Sequence, residues 1–337
     1  MEGTVLIRFA FLRPLMLAAL VGAVALTTWL RTPIDTDQKG AQITFAALSE
    51  REGLRGQLSV RGIWEMSAPH PFFGGFSALV STGDGRLLAG SDRGWTLAFR
   101  MTDQGPHASG NDFVYFAERQ STMQDMFDLE AITRDPATGT LWSTYEGFNA
   151  VQRDSPAGSR VQRIPPEMRD WSANSGPETI EILADGSFLI LSEAPDDNGG
   201  RDRPGLLFAG DPITDTDPVT FRVLTPRKFS PVDAAALPDG RVLILLRRVR
   251  TSIPAAFDAA IMLADPATIT QGGDWTGEVI ANLDGPILGE NFEGIAFVPD
   301  EADADPVGRG SIYLIADDNF SVFQRNLLVQ LDWPPAH

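Results

Sequence analysis

Nine acidic residues recur at matching places along the chain, and carboxylates so arranged could bind a divalent cation or transfer protons. Glu293 shows the pattern, because it stands inside "ENFEGIAF", residues 290–297, which otherwise reads as a buried strand. An isolated buried acid is costly unless it is paired or bound to a metal. The candidate metal ligands are Asp92, Glu130, Glu146, Glu178, Glu193, Asp233, Glu293, Asp317 and Asp318, and the candidate catalytic residues are Glu130, Glu178 and Glu293.

The composition excludes several other chemistries. The chain has no cysteine and only three histidines, one of them the last residue, so a thiolate nucleophile and a histidine-rich metal cage are both excluded. No P-loop, H-E-x-x-H or G-x-S-x-G motif occurs. The net charge of -18 repels phosphate backbones, so nucleic acid is not expected as a partner.

The acids lie on a repeated hairpin. Five stretches share a short apolar strand with a small or acidic second residue, a turn rich in Asp and Gly, and a second apolar strand: "FSALVSTGDGRLLAGSD", "LEAITRDPATGTLWSTYE", "PETIEILADGSFLILSE", "VDAAALPDGRVLILLRR" and "FEGIAFVPD" with "GSIYLIADD". Their second residues are 53, 48, 55 and 60 positions apart. This period is typical of four-stranded propeller blades with loops, so the sequence predicts an all-β protein with a five-bladed β-propeller.

Closure of the ring is also predicted. The fifth unit ends with the strand "RNLLVQLDW", residues 325–333, one strand short of a full blade. An N-terminal strand within residues 56–66 can complete it and cover the exposed edge. A sixth blade would require residues 41–55 to pair more extensively. The predicted organisation is a signal peptide or anchor over residues 1–30, a linker and leading segment over 31–55, and one propeller domain over 56–337.

The first strand of each blade lines the central channel, so the acids near its start are expected to form a ring at one mouth. The second strand returns to that mouth and brings a second ring, with Arg248 expected at the corresponding place in the fourth unit. Oxygen-rich clusters of this kind suit calcium or magnesium. The alternative is purely structural, with Arg93, Arg247, Arg248 and Arg325 tying neighbouring blades together.

The N-terminus has the layout of an export signal. Arg8 and Arg13 precede an uncharged apolar run from Leu15 to Leu30, and "TPIDTDQKG" follows Arg31. We therefore expect a periplasmic or extracellular protein, with contact to a membrane only through this segment, whether it is cleaved or kept as an anchor.

In these motifs the sequence resembles the phytase-like propeller family, described as "esterase-like activity of phytase". The resemblance is carried by "GGFSAL", "DLEAIT" with "YEG", "NSGPETIEIL", "DGRVLILLRR", and "NFEGIAF" with "ADDNF", between about residues 60 and 332. It implies an exported hydrolase of phosphate or other esters that uses a divalent metal, calcium above others. The expected partner is a small-molecule ester or phosphoester, and the chain is expected to be a monomer.

The sequence differs from the expected family pattern in two respects, and two alternative functions stay open. The fourth unit ends in "LLRR" instead of an acid, and lysine occurs only at Lys39 and Lys228, which does not favour a highly phosphorylated substrate. One alternative is a metal-dependent lactonase, with Glu130, Glu178, Asn291 and Asp317 around the ion. The other is a propeller without catalytic activity that binds a ligand or partner at its mouth.

Overall fold

The computed structural model describes residues 42–49, 52–83, 85–115, 128–194, 202–214, 217–252, 256–300 and 308–333. These residues form five antiparallel sheets, each the blade of a propeller. Short hydrophobic strands separated by Asp-Gly and Thr-Gly turns explain the hairpins, because glycine supplies the positive φ that such turns require. The five-bladed, all-β prediction is confirmed.

The strands follow in chain order. The leading segment forms β1 (Thr44–Ala47), β2 (Leu54–Gly56) and β3 (Val60–Ser67). Blade 1 has β4 (Phe76–Ser81), β5 (Arg86–Ser91), β6 (Trp95–Thr102), β7 (Gly105–His107) and β8 (Phe113–Tyr115). Blade 2 has β9 (Leu129–Arg134), β10 (Leu141–Tyr145), β11 (Ala150–Asp154) and β12 (Arg160–Arg163). Blade 3 has β13 (Pro177–Ile182), β14 (Phe188–Ser192), β15 (Asp202–Phe208) and β16 (Val219–Leu224).

Blade 4 has β17 (Ser230–Ala236), β18 (Val242–Arg250) and β19 (Ala256–Ala264). Next come β20 (Asp274–Trp275), which joins blade 3, and β21 (Glu278–Leu283), which returns to blade 4. Blade 5 has β22 (Asn291–Pro299), β23 (Gly310–Asp317) and β24 (Leu327–Trp333). Helical structure in the described residues is confined to 3₁₀ turns at Gly110–Asp112, Glu146–Phe148, Pro166–Met168 and Pro266–Thr268, and one α-helical turn, α1 (Gly285–Leu288).

The ring closes through the N-terminal strand, as predicted. The inner strands β4, β9, β13, β17 and β22 contact one another in a closed circle. Strand β3 pairs with β24, and β1 adds an outer strand beside β3. Strand β2 pairs with β21 of the neighbouring blade. Strands β1 and β2 therefore extend blades 5 and 4, and the described residues form no sixth blade.

Apolar layers between neighbouring blades form the core. Side chains of inner and second strands alternate between the two faces of each blade, so every blade contributes to two layers. Between blades 4 and 5, for example, Leu245, Phe292 and Leu314 are buried completely. Each such side chain stabilises the fold by roughly 1.5–3 kcal/mol. These layers hold the blades in fixed positions around the axis. The side chains that point into the channel are therefore fixed in position as well.

Every inner strand carries a bulge near its start. One residue is left out of the pairing with the second strand. A bulge re-aims the extra side chain away from the normal alternation of the strand. The extra residues are Ser77, Glu130, Glu178, Val232 and Glu293. The sequence repeat aligned Asp233 with the glutamates, but the register places Val232 there and Asp233 one residue further along the strand.

The predicted signal or anchor lies outside the described residues, as does the start of the predicted linker. None of the helices in the described part of the chain has the length and hydropathy needed to cross a membrane.

Candidate metal centre at the channel mouth

Two rings of side chains meet at one end of the channel, which we call the mouth. The bulge residues of the inner strands form the first ring. The second ring follows the ends of the second strands and consists of Asp92, Glu146, Glu193, Arg247 and Asp317. The expected arginine of the fourth unit is therefore Arg247 and not Arg248, because Ser230 pairs with Arg247. Arg248 instead donates to Asp258 on β19, at 2.6 Å.

Three carboxylates on blade 2 come closest together. Oxygen atoms of Asp128, Glu130 and Glu146 all lie within 4.8 Å of one another. Asp128 precedes the bulge with a left-handed φ of 72°. Its carbonyl oxygen accepts the main-chain N–H of Glu146 at 3.1 Å, so the same local pairing fixes two of the three acids.

Glu130 is the most poorly compensated acid of this group. It is buried, and the structure gives its carboxylate no hydrogen-bond donor among the described residues. Burial raises the pKa of Glu130 well above its usual range, and the charges of Glu178, Glu293, Glu146 and Asp128 raise it further. A divalent cation would supply the missing positive charge, and three clustered carboxylates are the hard oxygen ligands that calcium prefers. The donor set therefore fits the expected metal.

Glu178 lies beside Glu146, and each carboxyl group affects the pKa of the other. Burial, followed by the charge of Glu193, raises the pKa of Glu178 well above its ordinary value, while Arg247 lowers it. Burial and the charges of Asp128 and Glu193 raise the pKa of Glu146 to about 7. Glu146 can therefore take up and release a proton near neutral pH.

Asp92 completes this side of the mouth. Burial raises its pKa to about 6, against the opposing effect of Arg93. The Arg93 guanidinium stacks 3.5 Å from the centre of the Phe320 ring. Gly75 has a φ of 64°, and a Cβ there would lie 2.4 Å from an Asp92 oxygen, so only glycine allows this approach.

Arg247 bridges blades 3 and 5 across the mouth. Its guanidinium donates to Glu193 at 2.7 Å, to the Asn291 carbonyl oxygen at 2.9 Å, and to Glu293. Asn291 also donates to Glu293 at 2.7 Å and to Asp317 at 3.3 Å. Burial lowers the pKa of Arg247, but Glu293 and Glu193 outweigh that effect and raise it. This arginine compensates the blade 5 side of the mouth, in contrast to the blade 2 side.

The residues of the alternative lactonase set are divided between these two sides. Glu130 and Glu178 belong to the uncompensated side. Asn291 and Asp317 belong to the network of Arg247, and the Asn291 carbonyl oxygen already accepts from the arginine. Burial and the charges of Glu293 and Asp92 raise the pKa of Asp317 well above its usual range, while the Asn319 main-chain N–H donates to it at 2.6 Å.

Two predicted ligands lie apart from the rings. Asp318 accepts the main-chain N–H groups of Gly75 at 3.1 Å and Phe320 at 3.0 Å, and the side chain of Asn326 at 2.9 Å. It therefore ties the loop after β23 to the loop before β4.

Asp233 lies deeper, on the channel axis. It accepts the N–H groups of Ala234 and Ile295, both at 2.8 Å, and that of Leu79 is a third donor. These contacts tie together the inner strands of blades 1, 4 and 5.

A second axial acid, Glu181, was not predicted. Its carboxylate accepts the Ala236 N–H at 2.8 Å and the Thr133 hydroxyl at 2.7 Å. Burial raises its pKa to about 7 against the effect of these hydrogen bonds. Glu181 thus ties blade 3 to blades 2 and 4.

Asp128 is the other acid that the sequence argument missed. It stands two residues before Glu130, where Asn291 stands before Glu293. A comparison of the residues two places before each bulge would have found it. Glu181 gave no such signal, because its role depends on unpaired N–H groups of other blades.

The comparisons with known proteins assign the chain to a family. A phytase-like family model, described as "Esterase-like activity of phytase", matches residues 71–320. The chain belongs to this phytase-like family. No curated protein sequence matches it.

Solved structures similar to this phytase-like protein include a protein described as a putative gluconolactonase, at 14% identity and a TM-score of 0.44, covering 89% of this chain and 95% of that one. A streptogramin B lyase shows 11% identity, a TM-score of 0.40, and coverage of 89% and 100%. The virginiamycin B lyase of Staphylococcus aureus shows 11% identity, a TM-score of 0.38, and coverage of 90% and 98%. At such values nothing about the chemistry of this chain follows from the likenesses.

Proposed function

We propose that this phytase-like propeller is a metal-dependent hydrolase of phosphate or carboxylate esters, with its active site at the mouth. The observation that carries the proposal is the group of Asp128, Glu130 and Glu146, whose oxygen atoms lie within 4.8 Å of one another with Glu130 uncompensated. Glu130 is buried and its two neighbours are half-buried, and like charges held so close together are destabilising unless a ligand neutralises them.

These three residues would hold the cation, and calcium is the favoured ion. Calcium takes six to eight oxygen ligands in flexible geometry, so three carboxylates leave places for substrate and water. When bound, the cation would polarise the ester oxygen and stabilise negative charge that develops on it. Calcium also tolerates the unequal placement of the three ligands on a bulge and at two strand ends.

Glu178 is placed to act as the general base. It lies beside Glu146, and burial raises its pKa well above the ordinary value, which makes its carboxylate a stronger base. As the oxygen of water bonds to the phosphorus or acyl carbon, Glu178 takes the proton of that water. The same proton then goes to the leaving oxygen as the ester bond breaks.

Glu293 is a positioning residue in this scheme. It accepts from both Arg247 and Asn291, and it thereby fixes the arginine opposite the metal ligands. Arg247 contributes a fixed positive charge to the wall that the substrate faces.

Hydrolysis of an aryl phosphate, an aryl acetate and a small lactone tests the proposal, each with calcium and with excess chelator. We expect turnover that needs calcium, a loss of about 100-fold in kcat for Glu178→Gln, and a higher calcium requirement for Glu130→Gln. Glu278→Gln, at the exposed first residue of β21, is the matched control and should behave as wild type. No turnover of any substrate with any divalent ion would refute the enzyme. Calcium binding without turnover would favour the ligand-binding alternative.

We further propose that the chain is exported and acts as a monomer. The charged and apolar pattern of residues 8–31 supports export, and the closure of the ring within one chain supports a monomer. Cell fractionation and the mass in solution test these two points independently of activity.

A further inference from the structure

The end of the channel opposite the mouth opens into a cavity of about 490 Å³. Each inner strand begins at the mouth and ends at this cavity. On β13, for example, Glu178 belongs to the mouth and Ile182 lines the cavity. The wall is mainly apolar and comes from all five blades, through residues such as Leu79, Thr133, Leu183, Ala235 and Ile295.

Glu181 supplies a fixed hydrogen-bond acceptor within this wall. It lines the cavity and is partly exposed to it. The Ala236 N–H and the Thr133 hydroxyl hold its two oxygens at 2.8 and 2.7 Å. Each carboxylate oxygen can accept more than one hydrogen bond, so Glu181 can still accept from a bound molecule. Because both partners fix its direction, the acceptor is preorganised.

The cavity is separate from the mouth. Asp233 lies between them on β17, after Val232 of the first ring and before Ala234, Ala235 and Ala236, which line the cavity. Its hydrogen bonds to Ile295 and Leu79 join the inner strands of three blades across the axis. A molecule in the cavity would therefore contact neither Asp128, Glu130 and Glu146 nor a substrate bound beside them.

We propose that this cavity is a second binding site, for a small apolar molecule that carries one hydrogen-bond donor directed at Glu181. Its volume falls within the roughly 300–1,000 Å³ of small-molecule sites, which are mostly apolar with a few fixed polar groups. The net charge of -18 disfavours an anionic ligand, and Arg134, the cation in the cavity wall, already donates to the Thr82 carbonyl oxygen.

Titration with N-phenyl-1-naphthylamine tests the site, since this neutral dye has one N–H donor and fluoresces in apolar surroundings. We expect saturable binding to the intact protein. Ala184 lies exposed on the cavity rim, so Ala184→Trp should close the opening and weaken binding at least tenfold. Ala157→Trp is the matched control, exposed on the β11–β12 turn away from the cavity, and should bind as wild type.

The N-methylated dye tests the role of Glu181, because it keeps the rings but has no donor. It should bind about fivefold more weakly to wild type, and Glu181→Gln should reduce this difference, since an amide offers an uncharged acceptor. Thermal unfolding establishes that each variant is folded. Absence of saturable binding, or equal binding by Ala184→Trp and Ala157→Trp, would overturn the site. Equal binding of the two dyes to wild type would overturn the assignment of the donor.

Discussion

The mouth and the axis of this propeller both bury carboxylates, but the groups that face those carboxylates are opposite in kind. At the mouth, Glu130 faces four other acids and no donor among the described residues. On the axis, Asp233 accepts three main-chain N–H groups. Buried charges without partners cost stability, whereas hydrogen-bonded ones support it. The comparison teaches that residue type alone does not separate a functional acid from a structural one.

The different surroundings have a common origin in the inner strands. Each inner strand has one unpaired edge toward the channel, and its N–H groups there need acceptors. Asp233 and Glu181 are paired residues whose carboxylates reach the N–H groups of other blades. Glu130 and Glu178 are bulge residues, and the bulge removes them from that arrangement. An acid that is paired within its strand therefore has a structural role, whereas an acid at the bulge is available for function.

The largest effect should come from removing an axial acid. Asp233→Ala leaves the N–H groups of Ile295, Ala234 and Leu79 buried without an acceptor. We expect a loss of about 3–5 kcal/mol in the free energy of unfolding, measured by urea denaturation. Asp233→Asn keeps one acceptor oxygen and should lose less. If Asp233→Ala lowered the free energy of unfolding by less than a typical substitution of an exposed residue, the structural role of Asp233 would be contradicted.

Calcium should stabilise the mouth and leave the axis unaffected. A ligand at 100 times its dissociation constant adds about 2.7 kcal/mol to the free energy of unfolding. We expect calcium to raise the melting temperature of wild type and of Glu181→Gln by similar amounts, and to have little effect on Glu130→Gln. Differential scanning calorimetry with calcium and with chelator measures this. An equal calcium response in Glu130→Gln would remove that residue from the metal site.

The free energy of unfolding should also depend on pH, and the raised pKa of Glu146 determines whether it rises or falls. A carboxyl group whose pKa is higher in the folded state stabilises the fold fully below its ordinary pKa, and this contribution is lost as pH rises through the folded value. For Glu146 that window runs from its usual range up to about 7. In chelator, the contribution of Glu146 alone should therefore lower the stability by about 1 kcal/mol between pH 5 and 7.5, after allowance for solvent exposure.

Glu181 titrates in the same window, because its pKa is also raised to about 7. Glu146→Gln should therefore keep only part of the decline, and calcium should suppress the part that belongs to the mouth. Stability that rises with pH over this window in chelator would contradict the raised pKa of both acids.

The sequence predicted the architecture because hairpins repeat with apolar periodicity, and each repeat must pack against its neighbours. It also brought Glu130, Glu146 and Glu178 together. It misaligned Asp233 and Arg248 by one residue each, because a bulge in an inner strand is invisible in the spacing of apolar residues. Asp318 and Glu181 depend on donors from neighbouring blades, which are the Gly75 N–H for Asp318 and the Ala236 N–H and Thr133 hydroxyl for Glu181, and no local pattern encodes such partners.

The smallest effect should be a gain in stability at the mouth without metal. In chelator at pH 7.5, Glu130→Gln replaces a poorly compensated acid by a neutral side chain of the same shape and relieves repulsion from Glu178 and Glu146. We expect about 0.5–1 kcal/mol of added stability by urea denaturation. The same substitution at Glu181 should cost stability, because the amide cannot accept both of its hydrogen bonds as well. A gain in stability for Glu130→Gln with a loss for Glu181→Gln would show that the fold keeps repelling carboxylates only where a ligand can neutralise them. A loss in both variants would mean that Glu130 has a structural partner.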